Sequence, residues 1–132
     1  ETIVDTKRTL PRLKVLVAED DETSELLMSI LLRDYSEEII KTKTGTETVL
    51  AVRNRPDLDL ILMDIQMPEL NGYSATKQIR EFNKEVVIIA QTAYGLSGDR
   101  EKALAAGCNY YLSKPIVKDK LEKILDECFG KK

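Results

Sequence analysis

The feature that most constrains the fold is an alternation of short apolar runs with segments of helical periodicity. Five runs rich in Val, Ile, Leu and Tyr are separated by stretches in which apolar residues recur three or four positions apart. The runs are residues 14–18, 37–41, 58–63, 86–90 and 110–112. Parallel strands need helical crossovers, whereas antiparallel strands need only short turns. The alternation therefore predicts an α/β fold, a doubly wound (βα)5 sheet of five parallel strands.

Each intervening segment predicts a helix with one buried face. In the first, residues 23–35, the spacing predicts that Leu26, Leu27, Ile30 and Leu31 face the sheet. Helices are also expected over residues 45–54, 73–82 and from 97 to Gly107, with one more before Gly130. The buried residues expected in these later segments are Val49, Leu50, Ala75, Ile79, Phe82, Val117, Leu121, Ile124, Leu125 and Cys128.

Composition limits the function classes. The 132 residues suit one domain, which we place at residues 13–130, with 1–12 as a linker left from a longer chain and 131–132 as a tail. A net charge of −3 argues against nucleic-acid binding, and no apolar run approaches the ~18 residues that span a membrane. With no histidine, the chain has no His-based triad and no phosphohistidine of its own. Its two cysteines, without C-x-x-C spacing, indicate reduced thiols in a cytosolic domain.

Polar residues follow the apolar runs, and the carboxyl ends of parallel strands share one edge of the sheet. We therefore expect Glu19, Asp20, Asp64, Thr92 and Lys114 to meet in one cleft. Three carboxylates at close range repel unless a cation neutralises them, and Mg²⁺ suits carboxylates, water and phosphate. Asp21 and Glu22, further along, are better explained as capping the following helix, by about two to one.

Each of these residues also has a simpler structural interpretation. Asp64 can cap the turn that Pro68 and Asn71-Gly72 predict, Thr92 can start a turn, and Lys114 can be a surface lysine. Taken together, however, a carboxylate nucleophile, a metal site, a hydroxyl and a lysine describe phosphoryl transfer to Asp64. The set is more specific than any of its members.

Several short motifs, in order along the chain, carry a family resemblance. They are Val15-Leu16-Val17-Ala18-Glu19-Asp20, Leu62-Met63-Asp64-Ile65-Gln66-Met67-Pro68, Asn71-Gly72, Ala90-Gln91-Thr92-Ala93, Ala106-Gly107 and Tyr111-Leu112-Ser113-Lys114-Pro115. Over about residues 13–129 the chain resembles the receiver domain of bacterial two-component response regulators. The resemblance implies a flavodoxin-like sheet with strand order 2-1-3-4-5.

The resemblance also implies roles for individual residues. Asp64 would accept a phosphoryl group from a partner's phosphohistidine, and Thr92 and Lys114 would bind its oxygens. Mg²⁺ would be held by Glu19, Asp20, Asp64 and the backbone carbonyl of Gln66, with Glu19 replacing the more usual aspartate and reaching the metal through water. Further implied roles are the switch aromatic for Tyr111, a cis peptide bond before Pro115, and control of dephosphorylation rate for Gln66 and Tyr94.

Expected partners are a histidine kinase or a histidine phosphotransfer domain, and an effector or second copy bound through the last two helices. The motif details look most like the terminal receiver of a hybrid sensor kinase, cytoplasmic even where the parent chain is membrane-anchored. Such a domain catalyses its own phosphorylation and dephosphorylation without being a turnover enzyme. Two alternatives stay open: a pseudo-receiver that only binds partners, and an aspartate-based phosphohydrolase. The second needs another aspartate where this chain has Gln66.

Overall fold

The structure, a computed structural model, describes residues 12–93 and 98–130. The strands are β1 (Leu13–Ala18), β2 (Ser36–Thr42), β3 (Leu60–Asp64), β4 (Val87–Thr92) and β5 (Tyr110–Ser113). The helices are α1 (Glu22–Leu32), α2 (Gly45–Asn54), α3 (Gly72–Arg80), α4 (Asp99–Ala106) and α5 (Lys118–Phe129), with a 3₁₀ turn at Arg33–Tyr35. All neighbouring strands are parallel, in the order β2-β1-β3-β4-β5. The predicted fold class and strand order are confirmed.

The central strand β3 lies between β1 and β4 and is buried along its whole length. Its side chains up to Met63 are apolar on both faces because helices cover the sheet on both sides. In the register of the sheet, Met63 lies opposite Ala18 on β1, and Asp64 lies opposite Gln91 on β4. The ends of β1, β3 and β4 are therefore level with one another, which brings the residues that follow them to one edge.

Two apolar layers hold the helices against the sheet. On one face, α2, α3 and α4 contribute Val49, Val52, Ala75, Ile79 and Ala103. On the other face, α1 and α5 contribute Met28, Leu32, Leu121, Ile124 and Leu125. None of the helices in the described part of the chain has the length and apolar character needed to span a bilayer.

Six residues that were predicted to pack their helices on the core are exposed instead. On α1, Leu26, Leu27 and Ile30 are 57%, 46% and 48% exposed, because the turn carrying Met28 and Leu32 faces the sheet instead. Leu50 on α2 is also 57% exposed, while its neighbour Val49 is buried. Phe82 lies beyond the end of α3 and stacks under the Arg53 guanidinium, 4.4 Å from the ring centroid. Val117 is the exposed residue that precedes α5.

The start of α2 packs directly against the loop between β3 and α3. A Cβ atom on Gly45 would lie 1.9 Å from the carbonyl oxygen of Leu70, which is a backbone atom and has little freedom to move. This close approach requires glycine. It also fixes the position of the loop that begins at the end of β3.

Replacing Gly45 with alanine is expected to destabilise the domain by about 1–3 kcal/mol, because the added methyl overlaps a backbone oxygen. A loss of stability would be informative, because alanine elsewhere in a helix is more stable than glycine by about 1 kcal/mol. The free energy of unfolding from urea titration measures the effect. Thr46→Ala, at the next and exposed position of the same helix, is the control and should leave stability nearly unchanged. A Gly45→Ala protein as stable as the wild type would contradict the contact.

Candidate functional site

Three carboxylates converge at the carboxyl edge of the sheet. Glu19 follows β1 and is 1% exposed, Asp64 ends β3 and is 3% exposed, and Asp20 lies at the surface. One carboxylate oxygen from each residue lies within 4.8 Å of the other two. The structure thus brings together the three carboxylates that the strand ends predicted. Oxygen donors at this spacing fit a hard divalent cation such as Mg²⁺.

The fourth charged group of the site is the ammonium of Lys114, which follows β5. Its Nζ lies 2.8 Å from Oε1 of Glu19 and 3.5 Å from Oδ2 of Asp64. The backbone N–H of Lys114 donates to the carbonyl of Thr92, which ties the residue to the end of β4. The next peptide bond, Lys114–Pro115, is cis, as the resemblance predicts. Lys114 therefore enters the carboxylate cluster from the β4–β5 side.

Burial and charge both act on the carboxyl group of Asp64. Removal from water, followed by the nearby Glu19 carboxylate, raises the pKa of Asp64 from 3.8 to about 7, although Lys114 and the Gln66 N–H act in the opposite direction. Burial also disfavours the charged form of Lys114, but contact with Glu19 and Asp64 outweighs it and raises the pKa of the ammonium. The single positive charge of Lys114 does not balance the three carboxylates of the cluster. A bound divalent cation would supply the missing positive charge.

The raised pKa of Asp64 predicts a pH-dependent stability difference between the wild type and Asp64→Asn. Between about pH 4 and pH 7 the folded protein holds a proton that the unfolded chain has lost, so this group's contribution to stability falls as the pH rises. In EDTA, the asparagine variant should exceed the wild type by about 1–3 kcal/mol near pH 8.5 and by much less near pH 5. Urea unfolding at both pH values measures this. A difference that is the same at both pH values would contradict it.

The loop after β3 is held in a defined path by backbone hydrogen bonds. The N–H of Ile65 donates to the carbonyl of Gln91, and the N–H of Gly72 donates back to the carbonyl of Ile65. The Gln66 N–H donates to Oδ1 of Asp64 at 3.2 Å. Asn71 caps α3 by accepting from the Ser74 N–H. The loop therefore turns back over Asp64. That the backbone carbonyl of Gln66 binds a metal stays a prediction.

Acidic residues beside the cluster act as helix caps. Asp21 accepts a hydrogen bond from the Ser24 N–H at the start of α1, and Glu22 lies in the first turn of that helix. This is the capping interpretation that the sequence favoured. The N–H of Asp21 has a second use, because it donates to Oε2 of Glu19 at 3.1 Å. The cap of α1 and the carboxylate of Glu19 are therefore linked.

The remaining predicted site residues lie on β4, on β5 and in the segment after β4. Thr92 is 2% exposed at the end of β4, opposite Ser113 of β5. The ring of Tyr111 packs on the core layer below α3 and α4, and its buried hydroxyl has no hydrogen-bond partner within the described ranges. Tyr110 points to the other face, where its hydroxyl donates to Glu127. Tyr94 lies outside the described residues.

Sequence reasoning missed a surface next to this site. A cavity of about 200 Å³ lies between α1 and the segment after β5, and Lys114 is part of its lining. Leu27, Met28 and Leu31 of α1 line it from one side, and Pro115 and Ile116 from the other. The signal was present in the sequence, because α1 carries more large apolar residues than one buried face needs. We call the three exposed apolar residues of α1, Leu26, Leu27 and Ile30, the α1 surface. Leu27 lines this cavity, whereas Leu26 and Ile30 lie toward Ile39 and Lys41 of β2.

The family model of the response regulator receiver domain matches residues 15–126. Polar-differentiation response regulator DivK of Brucella anthropi is 40% identical over 105 residues, which cover 77% of this chain and 84% of DivK. Among solved structures, the receiver domain of sensor histidine kinase PA1611 from Pseudomonas aeruginosa PAO1 has a magnesium ion in its active-site cleft. It is 38% identical, with a TM-score of 0.80 and coverage of 91% of this chain and 99% of that one.

A second solved structure shows a receiver domain with a partner. It holds the receiver domain of Ssk1 and the histidine phosphotransfer signaling protein Ypd1 from Saccharomyces cerevisiae. This chain matches that structure with 35% sequence identity and a TM-score of 0.81. The match covers 91% of this chain and 90% of the other. The family match, the identity to DivK and the convergent strand-end residues agree. This chain belongs to the family of response regulator receiver domains of two-component systems.

Proposed function

We propose that this receiver domain accepts a phosphoryl group on Asp64, in a Mg²⁺-dependent transfer from a phosphohistidine on a partner protein. The observation that carries the proposal is the buried carboxylate of Asp64, held with Glu19 and Asp20 inside 4.8 Å and approached by Lys114. A metal-coordinating cluster around one buried aspartate is what transfer to a carboxylate requires. The magnesium in the cleft of the PA1611 receiver supports the choice of metal.

The residues of this chain have separate tasks in the transfer. A carboxylate oxygen of Asp64 forms the new bond to phosphorus, while the bond from phosphorus to the donor's imidazole nitrogen breaks and its electron pair leaves with the imidazole. Lys114 and Thr92 hold the oxygens of the phosphoryl group. Bound through Glu19, Asp20, Asp64 and the carbonyl of Gln66, Mg²⁺ would neutralise charge on those oxygens. Because the chemistry needs mainly positioning and charge, these groups are sufficient.

The donor histidine has to lie outside these 132 residues, because they contain no histidine. The complex of the Ssk1 receiver with Ypd1 supports a histidine phosphotransfer protein in that role, and a histidine kinase would use the same chemistry. The donor's imidazole must come within bonding distance of Asp64, so the donor also covers the rim of the site. Leu27 of the α1 surface supplies exposed apolar area on that rim, in the lining of the cavity that Lys114 also borders. We assign the docking of the donor to the α1 surface.

The signal leaves the site through Thr92 and Tyr111 in this proposal. Phosphorylation draws the Thr92 hydroxyl to the phosphoryl group and changes the population of Tyr111 positions. Tyr73 of α3 already reaches α4, since its hydroxyl lies 3.4 Å from the carbonyl and carboxylate oxygens of Asp99. Rearrangement around α4 and β5 would alter the surface of the last two helices. An effector or a second copy of the chain would bind there.

The test is uptake of phosphate from a small acyl phosphate, followed by intact mass. With acetyl phosphate and Mg²⁺ the wild type should gain one phosphoryl group, and excess EDTA should prevent the gain. No adduct under any condition would overturn the proposal and would favour a domain that only binds partners. Equal uptake in Mg²⁺ and in EDTA would overturn the metal requirement alone.

A further inference from the structure

We propose that the cavity between α1 and the segment after β5 is a binding site for a small aromatic molecule that carries one hydrogen-bond donor. The apolar walls of the cavity hold the ring, and the side-chain carbonyl of Gln91 accepts the hydrogen of the donor. Because the cavity lies in the apolar layer between α1 and the sheet, this site is distinct from the carboxylate cluster that takes up phosphate.

A buried amide group distinguishes this cavity from an ordinary apolar cleft. Gln91 is 0% exposed, although β4 is apolar from Val87 to Ala90. Its side chain lies on the same face of the sheet as Ile89, because the two residues are two positions apart on one strand. That face carries the apolar layer of α1 and α5. A polar side chain at this position is therefore surrounded mainly by apolar neighbours.

Only one end of this amide has a partner in the described part of the chain. The NH₂ group of Gln91 lies 2.8 Å from Sδ of Met28, and a thioether sulfur can accept a hydrogen bond but has no hydrogen to donate. Oε1 of Gln91 has no partner there. A buried acceptor without a donor costs free energy in the folded protein. A ligand that brings an N–H group to Oε1 removes that penalty.

The sheet keeps Gln91 at this position. In the register, the residue lies between Asp64 of β3 and Leu112 of β5. Its backbone carbonyl accepts the N–H of Ile65. The strand therefore cannot turn its amide out toward water without breaking contacts at the centre of the sheet. Gln91 is a fixed part of the cavity lining, and its carbonyl is an acceptor that a ligand can use.

The size and the lining of the cavity determine the class of ligand. Its volume is about 200 Å³, and an apolar protein cavity of about 150 Å³ is large enough to bind benzene. Met28, Leu31 and Ile116 line it with apolar atoms, and methionine sulfur makes favourable contacts with aromatic rings. A molecule of one or two fused rings therefore fits. Indole is a suitable probe, because its N–H is a donor and it offers no nitrogen or oxygen acceptor.

Titration with indole, followed through the methyl signals of the protein in NMR spectra, tests the proposal. The methyl groups of Met28, Leu31 and Ile116 should shift with one common Kd of about 1 mM or below, which a ligand of this size can reach. The methyl groups of Leu50 on α2, outside the cavity, should keep their positions. Cavity methyl signals that do not shift up to the solubility limit of indole would overturn the proposal.

Indene, in which carbon replaces the nitrogen of indole, isolates the hydrogen bond to Gln91. The preference for indole, measured as the ratio of the two Kd values, should fall about fivefold in Gln91→Met. This ratio cancels the effect of the substitution on the apolar contacts, which both ligands share. Gln78→Met makes the same change at an exposed glutamine of α3 and should keep the wild-type preference. An unchanged preference in Gln91→Met would overturn the proposal.

The fold of Gln91→Met is checked separately. The substitution removes a carbonyl that lacks a donor within the described residues, so the variant should be at least as stable as the wild type in urea. It should also still bind indene, because the apolar walls of the cavity are unchanged. A variant that is folded and binds both probes with the wild-type ratio would show that Gln91 is not the acceptor.

The competing occupant is an apolar side chain of a partner protein. If Ypd1 shifts the methyl signals of Met28, Leu31 and Ile116 while indole leaves them in place, the cavity belongs to a protein interface and the proposal is wrong. Acetyl phosphate can still label Asp64 in that case. A failure of the ligand site is therefore distinct from a failure of the proposed phosphoryl transfer.

Discussion

Asp64→Asn is expected to abolish covalent phosphoryl uptake from acetyl phosphate while the domain stays folded. The carboxamide has no anionic oxygen to attack phosphorus, and it also removes one of the three carboxylates of the cluster. Intact mass before and after incubation measures the loss, and peptide mapping of the wild type should place the adduct on the segment that contains residue 64. We expect no detectable adduct in the variant.

Unfolding is not an alternative explanation for that loss. The raised pKa of Asp64 means that the ionised carboxylate reduces the stability of the metal-free fold, so the asparagine variant should be at least as stable near neutral pH. Asp34→Asn changes an exposed aspartate in the same way and should label like the wild type. Undiminished labelling of Asp64→Asn would show that a different nucleophile accepts the phosphoryl group.

It could be predicted that the carboxylates meet at one site, because their meeting depends on the strand topology more than on side-chain detail. Apolar runs separated by helical segments require parallel strands, and parallel strands place their carboxyl ends at one edge. Glu19, Asp20 and Asp64 are close to one another for this reason alone. The capping interpretation of Asp21 was also local, since it needs only the free N–H groups of the first turn.

The pairing within the site could not be predicted from strand order. Strand order brings Lys114 to the carboxylates without saying which one it approaches most closely, and the structure places its ammonium 2.8 Å from Glu19 and 3.5 Å from Asp64. That preference depends on the lengths of two side chains and on where the α1 cap holds the glutamate. The contact of Gly45 with the Leu70 carbonyl is similar, because it joins the start of α2 to a loop that is distant in the sequence.

The error on α1 has an informative physical cause. Helical periodicity selects a face from the spacing of apolar residues, but α1 has apolar residues on more than one face. The side that packs on the sheet is decided by Met28 and Leu32, which lie in the same core layer as the buried Tyr35 of the 3₁₀ turn. Leucines at positions 26 and 27 were therefore left at the surface. Exposed apolar area of this kind, beside a site for which we propose a protein donor, indicates an interface.

Leu27→Gln is accordingly expected to slow phosphoryl transfer from a phosphorylated donor protein by about tenfold, the loss expected when one central apolar contact of an interface is removed. Leu27 is 46% exposed and lines the cavity that Lys114 also borders. The change adds no charge to the site, so uptake from acetyl phosphate should be unaffected. Phosphorylated Ypd1, at concentrations below saturation, is a suitable donor because its complex with a similar receiver domain is known.

The matched control is Leu50→Gln on α2, because Leu50 is 57% exposed and lies away from the α1 surface. It should accept from Ypd1 and from acetyl phosphate at wild-type rates, since the loss of an exposed leucine outside the interface changes neither reaction. Equal slowing by the two substitutions, or an unimpaired Leu27→Gln protein, would contradict docking on α1. Slowing by Leu27→Gln with both donors would instead place its effect in the phosphorylation chemistry. Selective slowing with Ypd1 therefore identifies the α1 surface as the place where the donor binds.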